Sequence, residues 1–489
     1  MAVNSTHPEY IRNAGLWEKV RDCVDGEHAV KAKGEAYLPR PAGKIGAKYD
    51  KAYARYLARA RFSNFTGRTA EGLHGSVFSR TSEQQEGISE SFMDFLRNVD
   101  NAGTSIGKFA RELSWDALQT GWGGILVDHS RLPEGETVDV ATANRLGLTA
   151  YLKWYKAENV INWRYDTVDE RRALSLVVLR ETFEDTADDE FAPTIKTRYR
   201  ALRLADGVYT QQEYAPSEDG KAKEEFVPGP LVIPRMGGEP FGFIPFFPCP
   251  APEPEKSMLL DLAHENIGHY QQSADLRNAL HLSASPTAYV SVATENDIPR
   301  KKDANGKATN EPETLPLGGE KTIWFSGNGT MAFAEPSGNG LAAMQKDMDA
   351  SEERMKMLGA KPFDGGPKGV ESGKAASIHA AAANSVLGAF AVNMGEVITS
   401  AVRLGARWRG VPDAEAEGWE FSLNTNYDGD LAKIEEKRLA LEMMDNDVMS
   451  KHRFLVDFDG MTPEEADEEI RRLRAEGSMS YEGEYEVAE

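Results

Sequence analysis

The chain has few of the residues that build covalent or metal-held frameworks. Its 489 residues include two cysteines, Cys23 and Cys249, which lie far apart and in no CxxC or Cys/His cluster. This scarcity gives neither a disulfide framework nor a zinc pattern. The nine histidines do not cluster, and His264 and His269 are five positions apart, so they do not share a helix face as metal ligands would. We expect no bound metal, no cofactor and a reducing site of assembly.

Long apolar runs are also missing. No stretch of about 18 apolar residues occurs, and the N-terminal segment MAVNSTHPEYIRNAGLWEK lacks the apolar core of a signal peptide. We therefore expect no membrane partner and no export by the chain itself.

The chain has fewer basic residues than acidic ones. The chain has 56 Lys plus Arg against 78 Asp plus Glu, a net charge of -22. Sequence-specific DNA readers are usually basic, so this balance argues against a reader. A conduit is harmed by tight phosphate contacts, so acidity does not argue against a DNA channel. The length predicts two to four packed regions or one elongated protomer.

No motif supports catalysis. Residues 369–374 resemble a P-loop, but Lys368 replaces its first glycine, Ala375 replaces its Ser or Thr, and a helix precedes it where a strand is needed. No G-x-S-x-G elbow is present. An enzyme whose distant residues meet only in space stays an alternative, but we expect no catalytic residues.

A polar segment, residues 424–435, matches a calcium-binding loop at its third, fifth, sixth and twelfth positions. Its first position is Asn424 where Asp is usual, and a strand leads into it where a helix is usual. We interpret the segment as a polar turn before a helix.

Hydrophobic periodicity divides the first half of the chain. It predicts helices within residues 8–62 and 88–118, then antiparallel strands within 148–247. The proline-rich segment 245–254 is predicted to be a rigid connector that ends any strand or helix. The fold class is therefore α+β.

The second half predicts two long helices around a small β excursion. One helix runs from near Ser257 to Ser285 and the other follows Gly338. The second carries a stripe of apolar residues at heptad-like spacing that we expect to pack in a stalk: Leu341, Met344, Met348, Met355 and Leu358. The alternative is an ordinary helical hairpin inside a globular core.

A glycine-rich loop follows, before a further helix predicted over residues 375–408. Its glycines and prolines cannot continue a helix, and cations lie beside them. If the loop faces a channel, a ring of copies multiplies these cations into weak, sequence-blind phosphate contacts; solvated surface charge is the alternative. The candidate residues are Lys361, Asp364, Gly365, Gly366, Lys368, Gly369 and Lys374.

Several short motifs, weak alone, are specific in their order. They include Val160-Ile-Asn-Trp-Arg164, Phe333-Ala-Glu-Pro-Ser-Gly338, Met355-Lys-Met-Leu-Gly359, Glu371-Ser-Gly-Lys-Ala375 and Trp408-Arg-Gly410. With them, almost the whole chain resembles a phage portal protein, in a portal-like family of tailed phages described as a domain of unknown function. Members often carry Glu-Thr-Ala where this chain has Glu371-Ser-Gly.

The resemblance implies an elongated protomer of a ring, typically with twelve copies. Its segments, taken by order, are a wing (1–256), a first stem helix (257–285), a β-containing clip (286–336), a second stem helix (337–360), a tunnel loop (361–374), a wing helix and strand (375–421) and a helical crown (422–489).

The resemblance also implies a role and partners. The ring would stand at one capsid vertex of a virion assembled in the host cytoplasm, as the channel for genome packaging and ejection. Implied partners are the terminase large subunit, head-completion or adaptor proteins, major capsid and scaffolding proteins, and transient non-specific double-stranded DNA. Another virion structural protein, such as a minor head protein, is the runner-up.

Overall fold

The protein is described here by a computed structural model. It describes residues 2–41, 46–79, 82–83, 88–130, 149–168, 170–186, 191–192, 194–217, 226–283, 287–291, 300–302, 306–312, 330–334, 339–359, 373–425, 450–459, 467 and 470–472.

The described helices mix with strands throughout the chain. In chain order they are α1 Pro8–Asp25, α2 Glu27–Ala32, α3 Asp50–Arg59, α4 Phe65–Val77, α5 Glu90–Arg97, α6 Ile106–Thr120, α7 Leu260–Ser283, α8 Asn339–Gly359, α9 Gly373–Trp408, α10 Asp413–Gly418 and α11 Lys451–Asp459. Short 3-10 turns occupy Gly34–Ala36, Ala47–Tyr49 and Ala157–Asn159.

The strands form antiparallel pairs. They are β1 Ser82–Glu83, β2 Gly123–His129, β3 Ala150–Lys156, β4 Val160–Val168, β5 Arg171–Asp185, β6 Thr194–Ala205, β7 Val208–Pro216, β8 Phe226–Val232, β9 Arg235–Met236, β10 Glu239–Pro240, β11 Phe246–Cys249, β12 Thr287–Ser291, β13 Arg300–Lys302, β14 Ala308–Pro312, β15 Thr330–Ala334 and β16 Phe421–Ser422. A five-stranded sheet has the order β4-β5-β6-β7-β8 and a three-stranded sheet the order β11-β2-β3. Two-stranded pairs are β1-β16, β9-β10, β12-β15 and β13-β14.

Local sequence signals set several element ends. His7 caps α1, accepting a hydrogen bond from the Glu9 amide, and Pro8 begins the helix, where its missing N–H costs nothing. The chain leaves α6 through Gly121, whose φ of 73° is left-handed. Gly124 then lets the Phe246 ring lie directly on the strand, since a Cβ there would overlap that ring.

The prediction for the proline-rich segment is wrong in its first half. Phe246–Cys249 forms β11, which pairs with Gly123–Leu126 of β2. The strand tolerates Pro248 because it lies at the edge of its sheet, where one side of the backbone needs no ladder bonds.

One hydrophobic core joins the N-terminal helices, the sheets and the C-terminal half of α9. Met394, Ile398 and Val402 of α9 are fully buried, and this helix packs on β2, β3 and β11. At 36 residues α9 spans about 54 Å. Its C-terminal half lies in the core, and its N-terminal end directly follows residues 361–372 in the sequence.

The mixed α+β class predicted from the sequence is confirmed. Helix α4, which the periodicity did not predict, fills the gap between the two predicted helical regions. Within the predicted helical crown (422–489), Lys451–Asp459 is helical, and residues 426–449 lie outside the described residues. The division into wing, stem, clip and crown stays a prediction.

Candidate assembly site on the helix pair

Helices α7 and α8 run antiparallel and form the most extensive helix–helix contact among the described elements. Glu265 of α7 accepts hydrogen bonds from Ser351 Oγ at 2.7 Å and from Arg354 Nε at 2.8 Å. One turn closer to the N-terminus of α8, Asp347 accepts a hydrogen bond from Gln272 Nε2 at 2.7 Å. Polar contacts at successive turns therefore fix the register of the pair.

His269 lies in the seam between these helices and is almost fully buried. Its Nε2 lies 3.4 Å from a carboxylate oxygen of Glu352, and its ring meets Phe65 edge-on at 6.4 Å between centroids. Neither ring nitrogen has a hydrogen-bond partner among the described residues. The seam is therefore polar in part.

The predicted stripe of α8 is distributed unevenly between protein and solvent. Met355 is 1% exposed, whereas Leu341, Met344 and Met348 are half-buried. Leu358 is 51% exposed and its neighbour Met357 52% exposed. Packing of the stripe in a stalk stays a prediction.

The end of α8 is held tightly. A Cβ on Gly359 would lie 2.8 Å from Leu262 Cδ2 and would also overlap Thr69 of α4. Because no side chain projects there, α8 can approach both α4 and α7. Its C-terminus is therefore fixed by close packing, although most of its other residues face solvent.

Helix α7 is anchored on its other side by the N-terminal helices. Asn266 donates to the Ser63 carbonyl at 2.8 Å and accepts from Thr66 Oγ1 at 3.0 Å. Ser273 Oγ donates to the Arg61 carbonyl at 2.8 Å. Side chains of α7 thus satisfy backbone carbonyls of the segment before α4. These bonds hold α7 in place, and α8 packs against it.

The β excursion between the two helices is closed at its base. Strand β12, after α7, pairs with β15, before α8, in the register Thr287 to Ala334 through Ser291 to Thr330. Farther into the excursion, β13 pairs with β14. Residues 322–329 of the predicted β excursion lie outside the described residues.

Six of the seven predicted tunnel-loop residues lie outside the described residues. They are Lys361, Asp364, Gly365, Gly366, Lys368 and Gly369. Lys374 lies in the first turn of α9. Most of the calcium-like segment, from residue 426 onward, also lies outside.

A buried ion cluster joins the two larger sheets. Arg200 of β6 is 4% exposed; its Nη1 lies 2.5 Å from Asp128 on β2, and its Nη2 lies 3.4 Å from Glu181 on β5. Glu181 also accepts hydrogen bonds from Lys153 at 2.7 Å and from Tyr155 at 2.5 Å. The cluster ties the five-stranded sheet to the three-stranded one.

These neighbours control the charge states in the cluster. Burial raises the pKa of the Glu181 carboxyl, but the cations Arg200 and Lys153 outweigh it and hold that pKa well below its usual range. Burial raises the pKa of Tyr151, which donates to Asp128, to about 12. Among the described residues, then, the cluster contains a carboxylate that stays ionised.

The sequence carried a signal for this cluster that our prediction missed. Val177, Leu179 and Glu181 alternate along β5 and so share the buried face, where a charged residue requires partners. A glutamate on the inward face of a strand was the available clue.

Among the described residues, no group of three or more His, Cys, Asp or Glu side chains could hold a metal ion. In the same part of the chain, no helix is long and apolar enough to cross a membrane.

Residues 258–409 match the family described as "Domain of unknown function (DUF4055)". The matched range contains α7, the excursion, α8 and nearly all of α9. The match confirms the resemblance to a domain-of-unknown-function family predicted from the sequence. A comparison with curated proteins gives no match.

Solved structures similar to the chain include three from gene transfer agent particles. "Virion of native gene transfer agent (GTA) particle" is 14% identical over 89% of this chain and 100% of that chain, with a TM-score of 0.33. "Neck of empty GTA particle computed with C6 symmetry" has the same identity and coverage and a TM-score of 0.36. "Neck of native GTA particle computed with C12 symmetry" is 13% identical over 88% of this chain and 98% of that chain, with a TM-score of 0.33.

Proposed function

We propose that the chain is a phage portal protein. About twelve copies would form a ring at one capsid vertex, with a central channel through which the genome is packaged and ejected. The role is structural and not catalytic in this proposal. Terminase, head-completion proteins, capsid and scaffolding proteins would dock on the ring, and double-stranded DNA would pass through without specific binding.

The observation that carries the proposal is the helix pair with its β excursion, within the range that matches the unknown-function family. The helix α7 is covered by the N-terminal helices on one side and by α8 on another. Helix α8 packs on α7 and α4, while Met357, Leu358 and most of its polar residues remain exposed. An exposed helix on a fixed base offers a second copy a surface to pack against.

Charge supports a channel in place of a DNA-binding site. A dodecamer of chains with a net charge of -22 would carry roughly -260. Such a ring repels phosphates over most of its surface, so DNA could slide without adhering. Another structural protein of the virion would share this charge, but the helix pair with an inserted β excursion favours the portal.

The decisive experiment is to image the purified protein by negative-stain electron microscopy and to measure its mass by light scattering. We expect rings with a central hole and a mass many times 53.9 kDa. A monodisperse species of 53.9 kDa at several salt concentrations would contradict the proposal.

A second experiment tests the predicted tunnel loop. Deleting residues 364–369 is expected to leave ring assembly intact but to impair DNA packaging or retention in particles. Unchanged packaging by rings of the deleted chain would show that this segment does not contact DNA.

A further inference from the structure

A cleft between α3 and the C-terminal part of α7 differs from the rest of this acidic chain. It has a volume of about 200 Å³, and none of the described residues that line it carries a carboxylate. Its walls carry Arg40 from the loop before α3, Arg55 and Arg59 from α3, and Asn278 and His281 from α7. Polar side chains therefore approach the cleft from three separate segments, and two of these segments supply arginines.

The donors of this cleft outnumber its acceptors. Arg59 Nη1 donates to Asn278 Oδ1 at 3.3 Å, which occupies the amide oxygen in the wall. Arg55 is exposed and forms no ion pair with a described residue. Arg40 Nη1 is buried without a hydrogen-bond partner among the described residues, although Glu35 and Asp50 hold its other nitrogens at 2.8 and 2.9 Å.

Two tyrosines make the walls rigid without adding acceptors to the cleft. The Tyr53 hydroxyl donates to the Leu38 carbonyl at 2.8 Å, and the Arg40 guanidinium lies 4.9 Å above the Tyr53 ring. The Tyr56 hydroxyl donates to Asp275 at 2.6 Å. Both hydroxyls are already engaged, so an incoming group would meet mainly guanidinium donors.

We propose that this cleft binds a phosphate group. A phosphate offers acceptor oxygens in several directions, and guanidinium groups recognise such oxygens with paired, charge-assisted hydrogen bonds. A single carboxylate has two oxygens in one plane and cannot meet donors arriving from three segments equally well. The cleft shares α7 with the helix pair, but phosphate binding there does not depend on the portal proposal.

The test compares the intact chain with two variants of equal charge. Arg55→Gln/Arg59→Gln removes two cleft cations that are exposed or half-buried, so folding is expected to survive. Arg12→Gln/Arg68→Gln removes two exposed arginines elsewhere and is the matched control. Binding is measured by calorimetry with inorganic phosphate, and by fluorescence anisotropy with a short double-stranded DNA at several salt concentrations.

We expect the intact chain and the control to bind one or both probes, and the cleft variant to bind at least tenfold more weakly. Saturation by millimolar inorganic phosphate would identify a free phosphate as the ligand. Salt-dependent binding of DNA with weak phosphate binding would identify a phosphodiester backbone, and the cleft variant would then have a shallower salt slope by roughly 2.

Three results would overturn the proposal. They are equal binding by the two variants, no binding of either probe by the intact chain, and binding of polyglutamate as tight as that of DNA at equal salt. The last result would show that the cleft selects carboxylates of a protein partner. Circular dichroism of each variant separates a lost site from a lost fold.

Discussion

The ion cluster between the sheets and the seam between α7 and α8 differ in how far their charged side chains are buried. In the cluster, Arg200, Asp128 and Glu181 are almost fully buried and pair with one another, although Arg200 Nε has no hydrogen-bond partner among the described residues. In the seam, Glu265 and Asp347 accept hydrogen bonds at the margin, while Met357 and Leu358 remain exposed. The charged residues of the cluster are thus buried inside the chain, whereas Met357 and Leu358 of α8 lie at its surface.

The largest effect is expected from breaking the cluster. Arg200→Met leaves Asp128 and Glu181 buried with fewer cations, and the free energy of unfolding should fall by about 3–5 kcal/mol. Urea unfolding followed by tryptophan fluorescence measures this loss. Arg203→Met on the same strand, half-buried on the opposite face, is the control and should lose about 1 kcal/mol. Equal losses of unfolding free energy in the two variants would mean that the buried ion pairs of Arg200 stabilise the fold no more than the contacts of Arg203.

The pH dependence of stability should sharpen the same contrast. The folded pKa of Glu181 is depressed, so its stabilising contribution is present above its unfolded pKa of about 4.3 and is lost as pH falls toward the folded value. Between neutral pH and pH values near 3, we expect Glu181 to contribute about 2 kcal/mol of the acid destabilisation. Glu181→Gln should be less stable at neutral pH and should show a flatter acid branch. An unchanged acid branch in this variant would refute the assignment.

An intermediate effect is expected where α8 ends. Gly359→Ala places a Cβ against Thr69 and Leu262, and the overlap should cost about 1–3 kcal/mol, more than the helix propensity of alanine returns. Adding Thr69→Ala should restore part of the loss, which a double-mutant cycle measures by thermal unfolding. Additive losses without such coupling would show that the contact is not the cause.

The smallest effect on the protomer should come from its exposed apolar residues. Met357→Ser/Leu358→Ser is expected to change the unfolding free energy by less than about 1 kcal/mol, since both side chains are half exposed. The proposed function predicts that the same variant nevertheless loses assembled rings, measured as the oligomer fraction by light scattering. Ile11→Ser, at an exposed position of α1, should leave that fraction unchanged. Full assembly of the double variant would show that these two residues of α8 are not part of the interface.

Local signals made much of the fold predictable. Alternation along β5 and the Ser285-Pro286 break after α7 depend on neighbouring residues and are visible in one sequence. Helix α4 escaped because it contains three glycines, which usually argue against a helix. Gly67 is there for close packing, since a Cβ would lie 2.7 Å from the Val24 carbonyl oxygen. Asn64, whose side chain caps α4 by accepting from the Gly67 amide, was the signal available.

The candidate sites depended on information that the sequence does not carry locally. The partners Arg200 and Asp128 are 72 residues apart and meet only because two sheets pack together. The phosphate cleft likewise joins α3 to α7 across 219 residues, through Arg59 and Asn278. Spacing within a motif cannot predict such contacts, because register and helix docking decide them.

The pairing of β12 with β15 fixes where the excursion leaves the helix pair and where it returns. Thr287 lies opposite Ala334, so the chain leaves and re-enters the helix pair at neighbouring points. The entropy of closing a loop grows only slowly with its length, so what lies beyond that pair can lengthen, shorten or be exchanged at little thermodynamic cost. The same two helices could therefore carry inserts of different length and sequence without a change in their own packing.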